Sequence, residues 1–160
     1  MLQATSYELR ERGFTLLELI LTLAIIIVLG VVGSIYLFGV RERKILENTT
    51  KEIVFSLRDA QQRSISQQDQ KQWGVYFENP TSSNDFYALF YDSYPSGTVS
   101  KAYLNRTIIF TTPSTGASSS IIFSKRTGWP LASTSITIAL LRSSSTNKVI
   151  SINEVGNISY

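Results

Sequence analysis

The chain has 160 residues, a net charge of +3, and neither Cys nor His. This length allows one small domain beside an N-terminal hydrophobic segment. A chain without Cys forms no disulfide framework and carries out no thiol chemistry, and the absence of His removes the commonest general base and metal ligand. A net charge this small does not by itself indicate a nucleic-acid partner.

A polar lead-in, residues 1–13, ends at Gly13, and an apolar run begins at Phe14. Residues 19–40 are 22 residues without a formal charge. As a helix they measure roughly 33 Å, which predicts a membrane span. A secretory signal places its apolar region before the cleavage site, whereas here Gly13 comes first. The residues alone leave two interpretations open: a cut after Gly13, or an uncut cytoplasmic tail on a signal anchor.

Glu18 is an acid inside this apolar run. A lone carboxylate at the centre of a membrane costs about 2.5 kcal/mol or more, so such residues are usually paired. A cut before Phe14 would create an ammonium four residues from Glu18, and the two charges could pair within one helix. In a filament, Glu18 could instead pair with Phe14 of the next subunit. The alternative is that Glu18 lies at the headgroup level without a partner.

The sequence RGFTLLELILTLAIIIVLG, residues 12–30, resembles the N-terminus of type IV pilins and of type II secretion pseudopilins. The resemblance implies that prepilin peptidase, a membrane enzyme, cuts between Gly13 and Phe14 and N-methylates Phe14. It also implies that Glu18 takes part in charge pairing during assembly. The N-terminus would be cytoplasmic and the C-terminal domain would lie outside.

An amphipathic pattern continues this helix beyond Val40. Apolar or small residues recur at spacings of three and four, and no Pro or Gly occurs between Val40 and Trp73. The pattern predicts one helix from about Phe14 to about Gln70, whose second half packs on a domain. Two helices meeting near residues 39–43 are the alternative. The predicted buried face consists of Ile45, Thr49, Ile53, Leu57, Ala60, Ser64 and Gln68.

The remaining chain contains short runs rich in aromatic and β-branched residues, separated by turn-rich stretches. This order predicts an α+β fold in which one or two antiparallel sheets pack on the helix around Ile53 and Leu57. The predicted strands are residues 73–77, 86–91, 107–111, 120–124, 135–141, 148–152 and 158–160, and the predicted turn-rich stretches are 79–85, 93–100, 112–119, 127–130 and 153–157.

The predicted organisation therefore has four parts. Residues 1–13 are a leader that is removed, and residues 14–40 are a transmembrane or filament-core helix. Residues 41–70 continue that helix amphipathically, and residues 71–160 form a β-rich globular head.

The head is most similar to the minor pseudopilin H and minor pilin T group. This weaker resemblance lies in IIFSKRTGWP, residues 121–130, and in the last hairpin, KVISINEVGNISY, residues 148–160. Major pilins usually carry a C-terminal disulfide loop, so the absence of Cys favours a minor pilin or pseudopilin.

Other candidate sites have ordinary explanations. Asp85 and Asp92 are too sparse for a Ca²⁺ site, which needs 6–8 oxygen ligands. Lys125, Arg126 and Trp129 form a small basic-aromatic group of the kind that binds single-stranded DNA. The C-terminal segment, residues 151–160, contains an acid and no base, which argues against DNA binding.

A serine run, residues 143–145, has no His to act as its base, and no Lys is placed beside it by the sequence. We therefore expect no enzymatic activity, no cofactor, no metal and no nucleic-acid partner.

Together these expectations describe an assembly subunit of a type IV pilus or a type II secretion pseudopilus. Its partners would be prepilin peptidase, other pilins or pseudopilins in a helical filament, the inner-membrane assembly platform, and membrane lipid before assembly. It would cross the cytoplasmic membrane once and then enter a periplasmic or surface filament. The expected role is a minor component that forms the tip or initiates assembly. A major pilin, or a membrane-anchored extracytoplasmic binding module that retains its N-terminus, is the alternative.

Overall fold

The protein is described by a computed structural model, which covers residues 14–160 apart from the side chains of residues 32–38. The predicted leader, residues 1–13, lies outside the described residues. The chain divides after Gly39 into two units. The second unit, Val40–Tyr160, contains every residue of the described hydrophobic core and is called the head below.

Helix α1 runs from Leu16 to Ile65 as one element, so the alternative of two separate helices is wrong. The helix ends five residues before the predicted Gln70. Gln67 adopts a left-handed conformation with φ of 54°, and a short 3-10 helix, Gln68–Gln70, follows it. No Gly or Pro signals this end in the sequence.

A contact with the first strand fixes the point where α1 ends. Ser64 is fully buried, and its hydroxyl accepts the backbone N–H of Trp73 at 3.0 Å. The chain must therefore turn back within nine residues, which an α-helix continued to Gln70 would prevent.

Eight strands in the described residues form two four-stranded sheets, and all their pairs are antiparallel. The first sheet has the order β3-β2-β1-β5, and the second has the order β4-β6-β7-β8. The strands are β1 Trp73–Asn79, β2 Phe86–Tyr91, β3 Thr98–Tyr103, β4 Ile108–Thr112, β5 Ala117–Phe123, β6 Thr134–Leu140, β7 Ser143–Ile152 and β8 Ile158–Ser159.

One hydrophobic core joins α1 to both sheets. Ile53 and Leu57 of the helix are fully buried in it, which confirms that the sheets pack around these two residues. The alternating inward residues of the strands complete the core, as expected for sheets with one buried face. They include Val75, Phe77, Phe123, Ile136, Ile138 and Ile150, all with no exposed surface.

Each of the seven predicted strands corresponds to an observed one, and the bounds of all but β2 differ by one to five residues. β3 was missed, because its first residues lie in the stretch 93–100 that was predicted to be a turn. β3 is an edge strand that pairs only with β2, and most of its residues are exposed. An exposed edge strand needs no apolar run, so its sequence lacks the signal that identified the others.

Two polar side chains, at the end of β1 and just before β2, bind the edge strand of the second sheet. Phe110 of β4 donates its N–H to Oδ2 of Asp85 at 2.6 Å and accepts a hydrogen bond from Nδ2 of Asn79 at 2.8 Å. Asn79 also donates to the carbonyl of Pro113 at 3.0 Å. Because β4 is an edge strand, these backbone groups have no strand partner on that side. We call Asn79 and Asp85 the inter-sheet clamp.

The clamp predicts how the stability of the head depends on pH. Burial raises the pKa of Asp85 above its ordinary 3.8, and the N–H of Phe110 counters only part of this rise. Such an acid contributes most to stability below its unfolded-state pKa, and this contribution is lost as the pH rises through its folded-state pKa. The wild-type head should therefore gain stability relative to Asp85→Asn as the pH falls from about 7 towards about 4.

Denaturant unfolding of both proteins at several pH values measures this difference. The Asn keeps an acceptor for Phe110 but cannot titrate. Asp92→Asn, at an exposed acid whose Oδ1 accepts the N–H of Gln72 at 3.2 Å, is the matched control. A loss of wild-type stability relative to Asp85→Asn on acidification would contradict the buried-acid interpretation.

Candidate processing and assembly site

Thr15 and Glu18 build the first turn of α1. Oγ1 of Thr15 accepts the backbone N–H of Glu18 at 3.2 Å, and the Thr15 carbonyl accepts the N–H of Leu19 at 3.1 Å. Thr15 is therefore the N-cap and Glu18 the third helical residue, which is the spacing of a capping box. A carboxylate in the first turn is also stabilised by the helix dipole. The Thr-x-x-Glu spacing carries this signal, and the sequence-based expectations missed it.

The predicted processing residues lie around this turn. Gly13 is outside the described residues, and Phe14, immediately before the cap, is 81% exposed. Glu18 forms no ion pair within the part of the chain that the structure describes. The ammonium that was predicted to pair with it would exist only after a cut before Phe14. The charge pairing of Glu18 therefore stays a prediction.

The apolar start of α1 has exposed side chains. The large hydrophobic side chains of residues 14–31 are all exposed, from 50% for Leu23 to 81% for Phe14. Among the described residues, no helix has the length and apolar character needed to cross a membrane. Residues 32–38 of the predicted span lie outside the described side chains. The predicted membrane span is not confirmed and stays a prediction.

The part of α1 in the head presents Phe55 to solvent between two charged flanks. Phe55 is 72% exposed, although large aromatic residues are usually buried. At 100° per residue, Lys51 and Arg58 lie on one side of Phe55, and Glu52 and Asp59 lie on the other. The seven-residue spacing within each flank is visible in the sequence, but the sequence-based expectations assigned these charges no role.

Two of these four charges have partners within the helix. Nζ of Lys51 lies 2.6 Å from Oε1 of Glu47, and Nε of Arg63 lies 2.9 Å from Oδ1 of Asp59. The other two charges of the flanks, Arg58 and Glu52, form no ion pair within the described residues. Each flank therefore presents one charge that no ion pair in the described chain satisfies.

A groove of about 340 Å³ lies beside Glu52, between α1 and the first sheet. Glu52 is the only acid among its lining residues, which also include Asn48, Asn105 and the ring of Tyr103. Burial raises the pKa of the Tyr87 hydroxyl in this groove, and the charge of Glu52 raises it further. A carboxylate near amide groups and an aromatic ring can bind a guanidinium group.

The candidate Ca²⁺ ligands are not brought together. Asp85 precedes β2 and Asp92 follows it, so the strand of six residues separates them by roughly 20 Å. Each accepts a backbone N–H, that of Phe110 and that of Gln72 respectively. In the described residues, no group of three or more acids is placed to hold a metal.

The basic-aromatic group at the end of β5 is partly engaged in the fold. Nζ of Lys125 donates to the carbonyl of Gln70, and the backbone N–H of Arg126 donates to the carbonyl of Ser64. Trp129 is 53% exposed. Lys125 therefore helps to hold the loop against the end of α1, which accounts for its position without a ligand.

The serine run has its own hydroxyl contacts. Oγ of Ser143 lies 3.0 Å from Oγ of Ser145 and 3.5 Å from Oγ1 of Thr146. Within the described hydrogen bonds, no Lys contacts these hydroxyls.

Comparison with known proteins assigns the N-terminal segment. The prokaryotic N-terminal methylation motif matches residues 9–34, which contain Gly13, Phe14 and Glu18. No curated protein and no solved structure matches the chain. The motif supports a type IV pilin-like or pseudopilin subunit, and it implies processing by prepilin peptidase and assembly with other pilins. The resemblance of the head to the minor pseudopilin H and minor pilin T group stays a prediction.

Proposed function

We propose that the chain is a membrane-inserted precursor that prepilin peptidase cuts between Gly13 and Phe14 and methylates at Phe14. The mature protein is then a structural subunit of a type IV pilus or a type II secretion pseudopilus, and not an enzyme. Its head lies outside the cytoplasmic membrane, first on the anchored subunit and later on the filament.

One observation carries this proposal: the methylation motif coincides with a helix segment whose large apolar side chains are exposed. Burying apolar surface is favourable at about 25 cal/mol per Å². A helix exposed on every side therefore needs lipid or other helices around it. Lipid would surround this helix before assembly, and the helices of neighbouring subunits would surround it within a filament.

The first test is the N-terminus of the protein purified from its native membrane. We expect N-terminal sequencing to begin at Phe14, and the intact mass to include one methyl group on its amine. Gly13→Val should retain Met1, because the proposed cut lies directly after residue 13. An intact Met1 in the wild-type protein would instead support a membrane-anchored binding module.

The copy number of the subunit is the finer part of the proposal. The absence of Cys favours a minor component, as the sequence predicts. The oppositely charged flanks around Phe55 favour a second candidate, a subunit that is repeated along the filament. Its molar ratio to the other pilins in sheared filaments separates these two roles.

A further inference from the structure

The unsatisfied charges on the exposed face of α1 are complementary to each other. Arg58 lies on the basic flank, and Glu52 lies on the acidic flank beside the groove. They cannot reach one another within one helix, because they lie six residues apart and about 120° apart around its axis. Two copies of the chain can bring them together.

We propose that the Arg58 side chain of one copy enters the groove of a second copy and pairs there with Glu52. This inference rests on the proposed function, because it concerns how subunits meet in a filament. The guanidinium group would then also lie near the Tyr103 ring and the Asn105 amide, which line the same groove. Phe55 would lie in the seam between the two helices.

The contact would be heterologous, since each copy uses its basic flank on one neighbour and its acidic flank on another. A heterologous contact generates an open helical assembly when its repetition does not close into a ring. Parallel helices that align residue 58 of one copy with residue 52 of the next are shifted by about 9 Å along their axes. The head would therefore help to set the axial spacing of the filament.

Charge reversal tests the pairing directly. Arg58→Glu and Glu52→Arg should each reduce the subunit in sheared filaments by about tenfold, because each places like charges together. The double variant E52R/R58E should restore wild-type amounts, since it recreates the pair with opposite orientation. Arg142→Glu, at the exposed turn between β6 and β7, is the control and should assemble normally.

A double-mutant cycle with neutral side chains provides a second test. Glu52→Gln and Arg58→Gln should each reduce the subunit in sheared filaments. The double variant E52Q/R58Q should reduce it no further than the worse single variant, because either change alone removes the pair.

The outcomes separate this inference from the proposed function. Filaments of processed Arg58→Glu at wild-type amounts would overturn the pairing alone. A loss in E52Q/R58Q equal to the product of the two single-variant losses would also overturn it, because it would show that the two residues act independently. A wild-type chain that keeps Met1 and forms no filaments would refute both proposals.

Discussion

Replacing Phe77 with Ala is expected to lower the free energy of unfolding of the head by about 3–5 kcal/mol. Phe77 has no exposed surface, and its ring contacts that of Phe110 edge-on, with centroids 5.8 Å apart. It also lies 6.4 Å from the ring of Tyr87. The side chain thus joins the first sheet to the second, and its removal leaves a cavity where neither sheet can easily close.

Fluorescence of the segment Val40–Tyr160 during denaturant unfolding measures this loss, because that segment contains the whole described core. Trp73 is 2% exposed and reports on the core, whereas Trp129 is replaced by Phe to remove an exposed background signal. Phe55→Ala is the matched control, and we expect a change within about 0.5 kcal/mol because its ring is exposed. Equal losses in the two variants would refute the assigned role of Phe77.

The sequence predicts those elements whose signals are local. The buried face of α1 follows from the spacing of Ile53, Leu57 and Ala60, which are all fully buried. β2 was predicted with its observed bounds, because the run of aromatic and apolar residues FYALFY has both strand propensity and clear turn signals around it. The methylation motif is equally local, since it is recognised within the short segment 9–34.

Features that depend on contacts between distant residues were not predicted. The inter-sheet clamp joins Asn79 to a strand 31 residues later in the chain. Gln61 of α1 donates to the carbonyls of Gly128 and Gly156, at 3.0 and 2.8 Å, and so fixes two loops against the helix. Such long-range hydrogen bonds leave no periodic pattern in the sequence, and only the fold brings their partners together.

The exposed face of α1 around Phe55 could not be predicted from the sequence either. Periodicity identifies the buried side of α1, but it describes the opposite side only as charged. Whether each charge is satisfied depends on rotamers and neighbours, as in the Lys51–Glu47 pair at 2.6 Å. The groove beside Glu52 depends on β3, which was itself missed. A surface of this kind can be inferred only after the sheet and the helix are placed together.

Glu18→Ala is expected to give a subunit that is cut after Gly13 but enters filaments at no more than about a tenth of the wild-type amount. An amine at Phe14 and a carboxylate at residue 18 would cancel each other's charge in apolar surroundings, and the variant would leave that amine unpaired. Immunoblots of membranes and sheared filaments measure processing and assembly separately. Glu47→Ala is the control, since it removes only an exposed ion pair worth about 0–1 kcal/mol.

Thr15→Val distinguishes charge pairing from helix capping as the role of Glu18. It removes the hydroxyl that accepts the N–H of Glu18 and keeps the carboxylate. Loss of an N-cap costs about 1 kcal/mol, which would only fray the first turn. If charge pairing is the main role, Thr15→Val should assemble far better than Glu18→Ala. Equal defects in both variants would show that Glu18 acts through the capping box, and full assembly of Glu18→Ala would exclude both roles.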